Sequence, residues 1–166
     1  VFAQNCTQLL FCDFGAWGVR AVTIPLYATS SEQQIEFIIN DAKIRLLFVG
    51  EQLQYDRAIR VLSLCPTLEK IIIFDRNVKR DEQDKMSVYF DEFMELGKGL
   101  PRQSEVDARC KDANEEDLAN ILYTSGTTGE PKGVIITNRA IVAGVTTTEH
   151  LLELTDKVVN LLDKFF

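Results

Sequence analysis

Between Tyr123 and Gly133 the chain reads Tyr-Thr-Ser-Gly-Thr-Thr-Gly-Glu-Pro-Lys-Gly, a run built almost entirely from hydrogen-bond donors and glycines. Chemistry on a polyphosphate needs several donors converging on closely spaced anionic oxygens, carried by backbone that can approach them without Cβ atoms in the way. Gly126 and Gly129 give that freedom, Thr124, Ser125, Thr127 and Thr128 add hydroxyls, and Lys132 adds a point positive charge. A set of this kind can hold phosphates in place and stabilise charge that develops on a leaving group.

Spacing excludes two common phosphate loops. A Walker A loop requires GxxxxGK followed by Ser or Thr, but the fifth position after Gly126 is Pro131, and Lys132 is followed by Gly133. The GxGxxG dinucleotide fingerprint is also missing. Both of those motifs open onto a helix, whereas here strand-like segments lie on either side, Leu118–Tyr123 before the run and Gly133–Thr137 after it. The plain alternative is a hairpin whose hydroxyls merely satisfy turn backbone. Hairpin loops generally take about two to five residues, so a longer connection rich in hydroxyls is expected to bind phosphate.

The elements that must position this loop follow from periodicity. From about Asn5 to Gly18, Leu9, Leu10, Phe14 and Trp17 recur at helical spacing, with Phe11 and Cys12 widening the apolar surface, which predicts a largely buried helix. Val22–Tyr27 is rich in strand formers, with Pro25 marking an edge or a strand end. Ser31 offers an N-cap with Gln34 as its capping-box partner, and Ile35, Ile38, Ile39 and Ala42 fall on one helical face. Arg45–Gly50 and Lys70–Asp75 are short apolar runs that predict strands covered on both faces, and Tyr55, Ala58, Ile59 and Leu62 predict a helix between them. Such alternation implies an α/β fold with a largely parallel sheet flanked by helices.

Residues 76–86 read as a solvated loop, Tyr89, Phe90, Phe93 and Met94 as a short amphipathic helix, and Asn138 as the cap of a last helix carrying Ile141, Val145 and Leu152. The chain thus divides into an α/β layer at 1–100, a charged linker at 101–117, and a strand, phosphate loop, strand and helix at 118–166. It opens on Val1 and closes on Phe166 without a stop signal, and both ends read as cuts.

The Tyr123–Gly133 run resembles the signature of the adenylate-forming (AMP-binding) superfamily, which contains acyl-CoA synthetases, luciferases and the adenylation domains of peptide synthetases. Gln4-Asn5-Cys6, Gly18–Tyr27 and Glu36–Asn40 resemble its long-chain fatty acyl-CoA synthetase branch, so the similarity spans nearly the whole chain. The resemblance implies part of a large N-terminal domain whose parent enzyme uses ATP with Mg2+, a fatty acid and coenzyme A. A carboxylate attacks the α-phosphate, pyrophosphate leaves, and the thiol then displaces AMP. Thr124, Ser125, Gly126, Thr127, Thr128, Gly129 and Lys132 would hold the β- and γ-phosphates, none acting as nucleophile or general base. The family's downstream motifs for adenine, ribose, magnesium and acyl chain, and its C-terminal lid, are not found after Lys132, so the 166 residues alone are expected to be inactive and to need the remainder of the polypeptide. The alternatives are a ligase for another carboxylate, such as an aromatic acid, and a non-catalytic α/β nucleotide-binding or interaction module.

Composition is compatible with this. At 46% hydrophobic and 26% charged residues the chain is an ordinary globular protein, and a net charge of −7 argues against a nucleic-acid partner. No apolar run reaches the roughly 18 residues of a membrane span, which predicts a cytoplasmic or membrane-peripheral protein. Four cysteines without a CxxC pair, and a single histidine, His150, without a cysteine at ligand spacing, read as packed thiols and a structural imidazole. Asp75 and Asn114–Asp117 read as a solvated strand end and a solvated face, and Trp17, Tyr27 and Phe37 as core aromatics.

Overall fold

The computed structural model of the chain describes residues 1–125 and 131–152. Its sheet is set by the two apolar runs: Leu46–Val49 (β1) and Lys70–Ile73 (β2) pair in parallel, with Leu47 opposite Ile71 and Val49 opposite Ile73. Ser87–Tyr89 (β3) joins β2 in parallel on its other side, giving the order β1-β2-β3. Periodicity could not single out so short a strand, because Ser-Val-Tyr offers only one turn of alternation.

Thr7–Gly18 (α1), Glu32–Asp41 (α2) and Gln52–Val61 (α3) are the helices of the N-terminal half. The start of α2 is the expected capping box: Gln34 N–H donates to Ser31 Oγ at 3.3 Å, and Ser31 N–H donates to Gln34 Oε1 at 2.9 Å. Ile35 and Ile39 of α2, Tyr55 and Ala58 of α3, and Leu47, Val49, Ile71 and Ile73 of the sheet form one core, each with no more than 2% of its surface exposed. The opposite sheet face is covered by Phe90–Glu95 (α4), where Phe48, Phe74, Phe90 and Phe93 meet at centroid separations of 5.4 to 6.5 Å. Cover on that face is incomplete, since Leu46 is 43% exposed.

Three expectations are corrected. Only Cys12 of α1 is buried, while Leu10, Phe11 and Phe14 are 57% to 67% exposed. Apolar residues surround this helix, and a helix can turn only one side to the layer. Val22–Tyr27 is not a strand: it makes single bridges, Thr23 to Asn120 and Leu26 to Phe2. Pro25 has no N–H to extend a ladder, so the segment stitches the N-terminal residues to the later hairpin. Within the charged stretch, Gln103–Lys111 is a helix (α5) with no buried residue.

Candidate functional site

Leu118–Ser125 (β4) and Pro131–Thr137 (β5) form an antiparallel hairpin whose register runs from Leu118 opposite Thr137 to Ser125 opposite Pro131. Alternation along β4 turns Ala119 (1% exposed) and Tyr123 (8%) inward and leaves Thr124 on the open face. Thr124 pairs with Lys132, also exposed, one rung from the end of the ladder. Residues directly opposite in an antiparallel pair share a face, so the hydroxyl and the ammonium emerge side by side. Ser125 closes the ladder through its backbone. Gly126, Thr127, Thr128 and Gly129 lie outside the described residues. Because the ladder reaches Ser125 and Pro131, residues 126–130 are a connection of ordinary hairpin length. Length therefore does not separate this loop from a simple turn.

Beside this root lies a cleft of about 220 Å3, lined by Tyr27, Thr29, Ser30, Gln34, Thr124 and Pro131 among others. The Tyr27–Ser30 turn closes on itself, Ser30 N–H donating to Tyr27 O at 2.8 Å. It is also held from α3, where Gln54 Nε2 donates to Ala28 O and Arg57 Nη1 to Thr29 O and Ser30 O at 2.8 to 3.0 Å. Gln54 is 2% exposed, so its amide serves this turn and the α3 cap and nothing else in water. Tyr27 is thereby left 71% exposed at the cleft, contrary to the core position expected for it. Sequence alone could not choose between Leu26 and Tyr27 for the inward position; Leu26 is the one buried. Phe37 packs against the core, and Trp17 is partly buried with Nε1–H donating to Ala119 O at 3.1 Å.

Tyr123 fixes the hairpin from within. Its hydroxyl donates to Asp41 Oδ2 at 2.5 Å, at the last residue of α2. Burial, with the Asp41 carboxylate adding to it, pushes the phenol up to about 12. Gly133 lies beneath the ring: a Cβ there would stand 2.9 Å from Ile121 Cγ2 and 3.3 Å from Tyr123 Cζ.

The remaining polar candidates have structural partners. Asp75 Oδ1 accepts from Asn77 N–H at 2.8 Å, an Asx turn. Asp117 holds Arg20 in a bidentate pair at 2.7 and 2.8 Å, and Arg139 pairs with Glu115 and Glu116, so the acidic run clamps the end of α1 and the start of Asn138–Leu152 (α6). Thr137 Oγ1, not Asn138, accepts from the first turn of α6, at Ala140 N–H. Among the described residues no group of His, Cys, Asp and Glu could hold a metal ion, and no helix is long and apolar enough to cross a membrane. Cys12 and Cys65 are buried, Cys6 is half-buried and Cys110 is exposed, and burial raises the Cys12 thiol to about 12. His150 falls in α6, with its side chain outside the described residues.

Layer, hairpin and motif define an adenylate-forming architecture, and the comparisons agree: the chain belongs to the AMP-binding enzyme family, whose model matches residues 1–166. It is 33% identical to a probable CoA ligase of Humulus lupulus and 30% identical to long chain acyl-CoA synthetase 2 of Arabidopsis thaliana, in each case over 100% of this chain and 25% of the relative. Against human long-chain-fatty-acid--CoA ligase 1 it is 31% identical over 96% of the chain and 23% of the relative. The chain thus spans about a quarter of the length of these relatives. Two solved structures share its fold. An anthranilate CoA ligase in complex with anthranoyl-AMP matches 83% of this chain and 24% of its own, with a TM-score of 0.61 at 18% identity. A mutant form of coronafacic acid ligase from Pectobacterium brasiliense matches 89% and 26%, with a TM-score of 0.68 at 17% identity.

Proposed function

We propose that this chain is part of the N-terminal domain of an ATP-dependent acid–CoA ligase that takes long-chain fatty acids. The observation that carries the reading is the pairing of Thr124 with Lys132 at the root of a glycine- and hydroxyl-rich connection, in a family whose relatives include long-chain acyl-CoA synthetases. On this reading a fatty carboxylate oxygen attacks the α-phosphorus of ATP. The bond to pyrophosphate breaks and an acyl-adenylate forms. The thiol of coenzyme A then adds to the acyl carbon, and AMP leaves.

The work of this chain is in the first half. Thr124, Ser125, Thr127, Thr128 and Lys132 hold the β- and γ-phosphates, with Gly126 and Gly129 allowing the backbone to approach. Their effect is to keep the α-phosphorus in line and to stabilise charge on the departing pyrophosphate. Magnesium, arriving with ATP, would add neutralisation of the charge that develops on the departing pyrophosphate.

In the full-length protein, Lys132→Ala should raise KM for ATP about tenfold or more, the loss expected of one charge-assisted contact, with the melting temperature unchanged. An unaltered dependence on ATP would sink the role. The acyl specificity is tested on the same protein with a panel of acids. Preference for aromatic or short acids over long-chain ones would reject the fatty-acid assignment while leaving the ligase reading standing.

A further inference from the structure

We propose that Tyr123 and Asp41 act as a positioning pair, a hydrogen bond that ties the root of the phosphate-binding hairpin to the C-terminal end of α2 and so sets where Thr124 and Lys132 emerge. The inference rests on the reading of the hairpin as a triphosphate grip.

Three observations converge on it. First, Gln34, Ile38 and Asp41 recur at helical spacing along one side of α2; Gln34 and Ile38 line the same cleft as Tyr123, Thr124 and Pro131, and Asp41 meets the Tyr123 hydroxyl. The helix therefore forms the wall against which the hairpin root is seated. Second, α2 is a rigid reference: its start is closed by a capping box, and Ile35, Ile38 and Ile39 are buried at 4% exposure or less. Third, the hairpin is shaped to receive the contact. Tyr123 is 8% exposed, and its ring lies over Gly133, where a Cβ would stand 3.3 Å from Cζ and 2.9 Å from Ile121 Cγ2.

The pair joins residues 82 apart in sequence. With its phenol raised to about 12, Tyr123 stays a donor at neutral pH. Thr124 follows Tyr123 directly and Lys132 faces Thr124 across the ladder, so a shift of the Tyr123 ring moves both. Geometry at phosphate contacts is steep, because donors must lie near the oxygens they stabilise.

The test uses the full-length protein and three variants, Tyr123→Phe, Asp41→Leu and Asp41→Asn, read by ATP–pyrophosphate exchange and thermal melting. Tyr123→Phe keeps the ring and Asp41 is an exposed position, so folding should survive. Loss of the hydroxyl or of the acceptor should raise KM for ATP about fivefold to tenfold, the size of one hydrogen bond, with KM for the acid and the melting temperature little changed. Asp41→Asn keeps an accepting oxygen and should restore KM for ATP to within about twofold of the parent. A drop in melting temperature with KM for ATP unchanged would mean that the pair only supports the fold, and equal effects of Asn and Leu would show that the accepted hydrogen bond is irrelevant; either overturns the proposal. Lys132→Ala serves as the control. If it raises KM for ATP while Tyr123→Phe does not, the positioning pair alone is wrong; if it too leaves KM unchanged, the phosphate reading falls and takes the pair with it.

Discussion

In the α/β layer, Ile35, Ile39, Leu47, Ile71 and Ile73 show 0% exposure, whereas on the hairpin and α6 Val134, Ile135, Val142 and Val145 are between 49% and 63% exposed. Apolar burial stabilises in proportion to the area removed from water, so the layer is held by its core. The hairpin turns Ala119 and Tyr123 into that core and is otherwise tied to the layer by polar tethers. Thr23 N–H donates to Ala119 O at 2.9 Å, Ile121 N–H to Thr23 O at 3.0 Å, and Asn120 Nδ2 to Thr23 Oγ1 at 2.6 Å. Arg20 grips Asp117, and Tyr123 reaches Asp41. A core resists displacement in every direction, but a few hydrogen bonds fix a strand's position without contributing much to the total stability. The part of the chain that carries the proposed chemistry is therefore the part whose placement rests on a few single hydrogen bonds.

Substitutions should divide accordingly. Ile71→Ala, at the centre of β2, should cost about 2–5 kcal/mol of unfolding free energy, measured by urea denaturation, while the folded fraction keeps its KM for ATP. A loss under about 1 kcal/mol would mean that the layer is not the anchor. Gly133→Ala should cost less, about 1–3 kcal/mol, because its Cβ must displace Ile121 Cγ2 from 2.9 Å and the Tyr123 ring from 3.3 Å. Unlike the core variant it should also raise KM for ATP. If it proves neutral in both measurements, the ring does not rest on Gly133 and the contrast between the regions weakens.

Sequence legibility followed the same division. The Ser31–Gln34 capping box, the isoleucine face of α2 and the two apolar runs of β1 and β2 were readable because local propensity and burial agree there. The strand-like segments on either side of the Tyr123–Gly133 run were readable too, though their pairing as a hairpin was not. What could not be read was anything set by a long-range partner. Tyr27 looks like a core aromatic until Gln54 and Arg57 pin the turn behind it. Asp41 has no local signal at all, since its partner is a tyrosine 82 residues away. The apolar surface of α1 misled for the opposite reason: periodicity reports that a face is apolar, not that something covers it.

A smaller effect is expected within the layer, where one polar junction behaves like a hairpin tether. Asp84, just before β3, accepts from Tyr55 Oη at 2.8 Å, from Met86 N–H at 2.8 Å, from Ser87 N–H at 3.0 Å, and from the Ser87 hydroxyl. Burial alone would raise its carboxyl, but the hydrogen bonds from Ser87, Tyr55 and Met86 outweigh it and hold the group below the ordinary value of 3.8. A carboxyl that is more acidic in the folded state binds fewer protons there than in the unfolded chain. Its stabilisation is therefore complete above the unfolded value and fades as pH falls through the lower folded one. Urea midpoints taken from pH 7 down to pH 3 should show the parent falling toward the Asp84→Asn variant, so that the difference between them shrinks with acid. A difference that stays constant across this range would show that the carboxylate's charge is not what joins the loop before β3 to Tyr55, and that even this edge of the layer is held by packing.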